Sequence, residues 1–380
     1  MGITRIANVT GLDHIGIPVV MVCRPNSRGL SVAQGKGLGL QDAKASGVME
    51  AIELFHAEHI ECPLAFESYA ELRRHVRVAD VAGLPQGRDS RFRPNLRVFW
   101  IEGYDLLNDE PVWVPHELVH TDFRLPRKAG ANCFVRSANG LASGNHLIEA
   151  VIHGISEVIE RDSGTLWALK AGEQREATRV RLETVDDPAC RGVLELYSKA
   201  RIGVGVWDVT SDIGVPAFLC HIVPELDDVF RPLYAAGGLG CHPTRNIALL
   251  RALLEAAQMR LTAIAGVRDD IPRSEYMRQY LRHGSARVLK YFRSQIRTPD
   301  PGIGFDETPT FDGATMDEDF DFLLRRLRLA GMRQVIAVDL SKPELGIPVV
   351  RIVIPFLEGT SDSTKYLPGQ RARAKLAKVR

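Results

Sequence analysis

The segment Gly144-Asn145-His146-Leu147-Ile148-Glu149-Ala150-Val151-Ile152-His153-Gly154-Ile155-Ser156-Glu157-Val158-Ile159-Glu160-Arg161-Asp162 divides into two unlike faces when wound at about 3.6 residues per turn. Leu147, Ile148, Val151, Ile152, Ile155, Val158 and Ile159 share a broad apolar side. Asn145, Glu149, His153, Ser156, Glu157 and Glu160 fall on the other, with Arg161 at its border. Carboxylates stacked along one stripe repel one another unless positive charge sits among them. On an ordinary surface, water and counterions supply it. In an active site Mg²⁺ supplies it, because that ion is held by carboxylates together with substrate phosphates. Taken alone, the segment reads more readily as a solvated face.

Two further segments repeat the pattern. From Asp42 to His59, Ser46, Glu50 and Glu53 lie on one stripe opposite Val48, Met49, Ile52 and Phe55. After Pro243, Arg251, Glu255, Gln258 and Thr262 line one side of a helix whose other side carries Leu250, Leu253, Leu254, Ala257, Leu261 and Ile264. Each helix follows glycines: Gly35-Lys36-Gly37-Leu38-Gly39, Gly140-Leu141-Ala142-Ser143-Gly144 and Gly237-Gly238-Leu239-Gly240-Cys241. Such stretches read as turns in which the backbone approaches a ligand closely and a helix start offers free N–H groups to an anion. The i, i+3 spacing of Glu50 with Glu53, and of Glu157 with Glu160, places each pair about one turn apart on a single face, as metal ligands require.

These segments resemble the YcaO proteins, which activate peptide backbone amides with ATP. The family's S-x-x-x-E-x-x-E helix is matched by Ser46, Glu50 and Glu53. Its G-N-x-x-x-E…S-E-x-x-E-R helix is matched by Gly144, Asn145, Glu149, Ser156, Glu157, Glu160 and Arg161, and its R-A-x-x-E-x-x-Q helix by Arg251, Ala252, Glu255 and Gln258. The resemblance runs from about residue 10 to about residue 360. One departure is Leu54, which stands where many members place an arginine. The resemblance implies a YcaO-type fold of a few packed subdomains, with a metal-dependent ATP site between helices. It implies ATP and Mg²⁺ as cofactors, Glu50, Glu53, Glu157 and Glu160 as metal ligands, and Ser46, Asn145, Glu149, Arg161, Arg251, Glu255 and Gln258 as nucleotide contacts. Glu160 and Arg161 are the expected catalytic residues, with Arg161 neutralising charge on the transferring phosphoryl group.

The chemistry needs such a site. An amide oxygen is a very poor leaving group, so the oxyanion formed when a nucleophile adds to the amide carbon normally collapses backwards. Phosphorylation turns that oxygen into phosphate, which leaves readily. Attack by a Cys, Ser or Thr side chain of the substrate gives an azoline; an external sulfur donor gives a thioamide. Azoline-forming members commonly carry a P-x-P-x-P tail, absent from Tyr366-Leu367-Pro368-Gly369-Gln370-Arg371-Ala372-Arg373 and the residues after it. The stretches Thr10-Gly11-Leu12-Asp13, Arg24-Pro25-Asn26-Ser27 and Arg351-Ile352-Val353-Ile354-Pro355 resemble the branch that works with TfuA proteins, thought to deliver sulfur. Thioamidation with a separate TfuA-like partner is therefore the leading expectation. Azoline cyclodehydration and a non-catalytic scaffold role are the alternatives, and a homodimer is left open.

Composition narrows the class. The 380 residues are 45% apolar and 25% charged, with a net charge of +1. That balance suits a soluble globular protein and argues against a dominant nucleic-acid or membrane-surface role. No apolar run reaches the roughly 18–20 residues that span a bilayer, and Met1–Ile6 lacks signal-peptide architecture, so cytoplasmic is the default expectation. Neither a P-loop nor a G-x-G-x-x-G fingerprint is present. Cys23, Cys62, Cys133, Cys190, Cys220 and Cys241 show no C-x-x-C spacing; Cys241, beside glycines ahead of a helix, is the one whose thiol invites a catalytic reading.

Strand-like runs are Ile17–Val22, Arg97–Ile101, Pro111–Val114, Arg201–Val209, Ala217–Val223, Gln334–Val338 and Pro348–Ile354. Strands alternating with helices, and the hairpin-like pair 97–101 and 111–114, predict a mixed α/β or α+β fold instead of a regular doubly wound one. Residues 1–365 are expected to form one functional unit. Residues 366–380 form a basic tail, read as a frayed, solvated end.

Overall fold

In the computed structural model, residues 1–226, 235–266, 268, 286–297, 302–359 and 366–379 are described. The chain forms two compact units, each assembled from separated stretches: Met1–Ala51, Ala171–Thr210 and Pro216–Thr310 in the first, Ile52–Lys170, Ser211–Val215 and Phe311–Arg380 in the second. The architecture is mixed α+β, as the alternation of strand and helix patterns predicts.

The first unit holds two antiparallel sheets. β1 (Arg5–Asn8), β2 (Val19–Cys23) and β3 (Val32–Lys36) pair in that order. β8 (Ile202–Asp208), β9 (Ala217–Pro224) and β10 (Ala236–Cys241) form the other, with β9 central. The first part of α1 (Leu40–Glu58), α4 (Gly172–Glu176), α5 (Pro188–Lys199), α6 (Arg245–Ala265) and α7 (Ala286–Arg297) complete the unit. α5 begins where Asp187 accepts the Cys190 N–H at 2.8 Å ahead of Pro188, whose missing N–H costs nothing in a first turn. Tyr197, Phe218, Ile222, Leu249, Leu253 and Phe305 lie in its core. The buried Tyr197 hydroxyl donates to the Leu253 carbonyl at 2.7 Å, so its burial leaves no polar atom unpaired.

The glycine stretches correct an expectation. They read as ligand-facing turns, but Gly35, Gly238 and Gly240 lie in strands, and a helix occupies the space above them. A Cβ on Gly35 would stand 2.0 Å from the Ala43 carbonyl oxygen and 2.2 Å from the Gly47 nitrogen of α1. One on Gly240 would meet the Ala248 carbonyl oxygen of α6 at 2.1 Å, and one on Gly238 the Ala252 oxygen at 2.4 Å. These glycines admit a helix backbone directly onto a strand.

The second unit is built on a six-stranded sheet of β4 (Leu64–Ser68), β5 (Arg97–Asp105), β6 (Glu110–Pro115), β7 (Leu141–Ser143), β11 (Ile336–Asp339) and β12 (Val349–Val353), in the order β4-β5-β11-β12-β7 with β6 on β5. The expected hairpin is present, with Ile101 opposite Val114. α2 (Tyr69–Leu72), α3 (Leu147–Ala168), α8 (Met316–Leu329) and α9 (Gln370–Val379) accompany it, and α3 packs on β7, β12 and α8. Close approach again needs a missing Cβ: one on Gly154 of α3 would lie 2.6 Å from Ile352 Cγ1. Among the described residues, no helix is long and apolar enough to cross a membrane.

The basic tail is not frayed. Residues 370–379 are helical, Ala372 is fully buried, and Arg371 grips Asp162 of α3 through Nε and NH2, both at 3.0 Å, while also reaching Asp212. A fully buried carboxylate needs such a partner. Burial pushes Asp162 up to about 6, and Arg371 together with the Glu358 N–H opposes that rise. Arg371→Gln strands the carboxylate, and we expect it to cost about 3–5 kcal/mol of stability, read as a shift in the urea-denaturation midpoint.

Candidate functional site

In the first unit the polar stripe of α6 faces β3. Lys36 Nζ donates to Gln258 Oε1 at 2.9 Å and stands 3.5 Å from Glu255 Oε2. Arg251 donates to the Cys241 carbonyl at 3.3 Å. On α1, Ser46 Oγ accepts the Lys36 N–H at 3.4 Å and Glu50 Oε2 accepts the Gln34 N–H at 3.2 Å. Thr262 donates to Gln34 Oε1 at 2.7 Å, fixing that side chain from α6. Five of the expected residues, Ser46, Glu50, Arg251, Glu255 and Gln258, thus belong to hydrogen-bonded groups centred on β3 and α6. Lys36 and Arg251 supply cationic donors suited to an anion.

In the second unit the stripe of α3 is not a solvated face. Ser156 and Glu160 are buried, Glu157 and His153 half-buried. Glu160 Oε1 lies 3.3 Å from Arg161 NH2. Glu53, from the later part of α1, accepts the Ser143 hydroxyl at 2.6 Å. Glu149 Oε2 accepts the backbone N–H of Asn145 at 2.7 Å and its side-chain amide at 3.1 Å. Asn145 itself precedes the helix, which starts at Leu147, so it stands on an exposed turn instead of on the stripe. Leu147, assigned to the apolar side, is 48% exposed for the same reason: it opens the first turn.

Among the described residues no group of three or more His, Cys, Asp or Glu closes round a common point. A bare protein cage is therefore not formed. One or two carboxylates with phosphate oxygens is the ordinary Mg²⁺ arrangement, and an all-oxygen donor set of glutamates fits it. Arg351 is 2% exposed and within electrostatic reach of Glu157. Burial draws its pKa down to about 10; NH2 donates to the Ser137 carbonyl at 2.7 Å, while Nε and NH1 have no hydrogen-bond partner.

This geometry has relatives. Residues 34–358 match the family model described as YcaO cyclodehydratase, ATP- and Mg²⁺-binding. The chain belongs to the YcaO family. Over 98% of its length it is 36% identical to an uncharacterized protein in the tfuA 3' region of Rhizobium leguminosarum bv. trifolii, covering 87% of that protein. The YcaO of Methanopyrus kandleri bound with AMPPCP and Mg²⁺ superposes with a TM-score of 0.71 at 24% identity, over 97% of this chain and 91% of that one. A heterocyclase in complex with substrate and cofactor superposes at 0.79 and 20% identity; this chain spans 99% of its own length but 52% of the heterocyclase. ATP and Mg²⁺, the cofactors expected from the sequence, are those of the YcaO family.

Sequence reasoning missed Gln34, Lys36, Ser143 and Arg351. Lys36 was visible within the glycine stretch Gly35-Lys36-Gly37, where its charge sits beside the glycines. Arg351 had a signal: it is the lone charge in the strand Val349–Val353. Cys241, in contrast, is fully buried on β10 opposite Ala217, where packing accounts for it. For Gly144→Ala, the new Cβ would stand 2.8 Å from the Ala150 nitrogen and 2.9 Å from Glu149 Cβ. We expect a loss of about 1–3 kcal/mol and weaker binding of a non-hydrolysable ATP analogue, checked by denaturation and calorimetric titration.

Proposed function

We propose that this YcaO chain activates a peptide backbone amide with ATP and yields a thioamide, the sulfur arriving through a separate TfuA-like protein. The observation that carries the reading is the partly buried carboxylate stripe of α3, Glu160 buried and Glu157 half-buried, with Arg161 beside Glu160. Like charges withdrawn from water are costly unless a cation joins them. The relative in the tfuA 3' region supports the TfuA branch.

In this reading Glu157 and Glu160, and likewise Glu50 and Glu53, hold Mg²⁺ ions only together with the nucleotide's phosphate oxygens, while Ser143 steadies Glu53. Ser46, Asn145, Glu149, Arg251, Glu255 and Gln258 take the nucleotide, with Lys36 added. Bound Mg²⁺·ATP supplies the phosphoryl group that makes the amide oxygen a leaving group. Arg161 stabilises charge on that group by a fixed guanidinium, which costs no reorganisation at the moment of transfer. In this reading residues 1–365 act as one functional unit.

A second reading, azoline formation on Cys, Ser or Thr of the substrate, is favoured by the cyclodehydratase description of the family model. Intact-mass analysis of candidate peptides separates the two: a gain of about 16 Da accompanies O-to-S exchange, a loss of about 18 Da ring closure, by the arithmetic of the chemistry. Neither change, with enzyme, partner, ATP and Mg²⁺ all present, would reject amide activation.

Two further outcomes are expected. Glu157→Gln and Glu160→Gln keep shape and remove charge, and each should lower ATP turnover by about 100-fold or more, measured as ADP release. Chelation of Mg²⁺ by EDTA should abolish nucleotide binding in a calorimetric titration, because phosphates facing bare carboxylates repel them.

A further inference from the structure

A concavity lies in the second unit, on the loop between β6 and β7. It encloses about 310 Å³, within the roughly 300–1,000 Å³ range of small-ligand pockets. Arg124, Arg127, Lys128 and Arg136 line it together with Phe99 and Phe134.

The pocket carries surplus positive charge because its carboxylates are already engaged. Glu117 accepts three successive backbone N–H groups, from Asn132, Cys133 and Phe134, at 2.7, 2.8 and 3.0 Å. That clamp folds the loop back on itself and gives the wall its shape. Asp122 takes Arg124 in a two-pronged pair at 3.0 and 2.7 Å. Arg127 donates only to the neutral Asn132 amide, and Lys128 hangs over the Phe99 ring at 5.7 Å. His116 and His120 stack 4.6 Å apart and are held neutral by burial, at about 3 and about 4. The positive charge is therefore permanent, carried by arginine and lysine.

Two features say what would fill it. The loop bearing the cations also presents Phe123 and Leu125, 43% and 79% exposed. An inorganic ion leaves that apolar shoulder in water, whereas a polypeptide with an acidic side chain in the pocket covers it. Arg351 is within electrostatic reach of both His120, which lines the pocket, and Glu157 of the α3 stripe.

We propose that this basic pocket is a recognition subsite for a glutamate- or aspartate-bearing segment of a peptide, with the carboxylate taken by Arg127 and Lys128 and flanking apolar residues covering Phe123 and Leu125. The inference deepens the reading above, since it takes the substrate to be a peptide, but it concerns binding without nucleotide.

The test is fluorescence anisotropy of the whole chain with a fluorescein-labelled peptide carrying glutamates between phenylalanines, with its glutamine counterpart, and with inorganic phosphate as competitor, at about 50 mM salt. Binding of the glutamate peptide about tenfold tighter than the glutamine peptide is expected. Arg127→Gln with Lys128→Gln should abolish that preference; both side chains are exposed, so the fold is retained. Arg325→Gln, an exposed cation on α8, should leave it unchanged. No binding, equal binding of both peptides, an unaltered double variant, or displacement by phosphate as tight as by peptide would each overturn the inference. Binding of Mg²⁺·ATP is measured on the same samples. Nucleotide binding with no peptide preference rejects the subsite alone, and loss of nucleotide binding by the unaltered chain rejects the amide-activation reading instead.

Discussion

A helix can rest directly on a strand only where no Cβ stands between their backbones, and both units depend on that constraint. Gly35 under α1, Gly238 and Gly240 under α6, and Gly154 of α3 over β12 all occupy positions where a Cβ would lie between 2.0 and 2.6 Å from another atom, far inside any real contact. An alanine at Gly35 or Gly240 meets backbone, which has no rotamer to escape into. The consequence reaches the chemistry. With α6 drawn onto β10 and α1 onto β3, Lys36 of β3 meets Gln258 and Glu255 of α6 at hydrogen-bonding and ion-pairing distances.

Buried charge is the second theme. α3 carries Glu160 and Asp162 into the interior of its unit, and each has a cation at hand, Arg161 for the first and Arg371 for the second. Arg351 lies below the same helix with two donor atoms unpartnered. A structure arranged for stability alone would not keep guanidinium donors unsatisfied in a sheet interior, since such groups cost more than an apolar replacement. Under the proposed reading, a bound ligand would complete that charge balance.

The acidic stripes were legible before any coordinates because a helix of known period sorts residues by face. The amphipathic pattern of residues 144–162, with the S-x-x-x-E-x-x-E and R-A-x-x-E-x-x-Q segments, was enough to mark the helices and the family. The hairpin of β5 and β6 followed from adjacent strand-like runs, since such neighbours pair locally. The short strands β1, β3, β4, β7 and β10 were not read as strands. Three of them contain glycine or a polar residue where a strand pattern expects alternation, and they are strands only because a sheet and a helix hold them.

The order of residues alone determined which side chains share a helix face, the mixed α+β class and the carboxylate-rich chemistry, because all three follow from local periodicity and residue type. Tertiary structure decided what the glycines are for, that the α3 stripe is partly withdrawn from water, and that the basic tail is a helix anchored on Asp162. It also joined residues far apart in the chain, Lys36 with Gln258, Glu53 with Ser143 and Arg351 with Glu157. Periodicity tells which face a residue occupies but not what that face meets. Burial and pairing across long sequence separations depend on how helices stack on strands, and no local pattern encodes that.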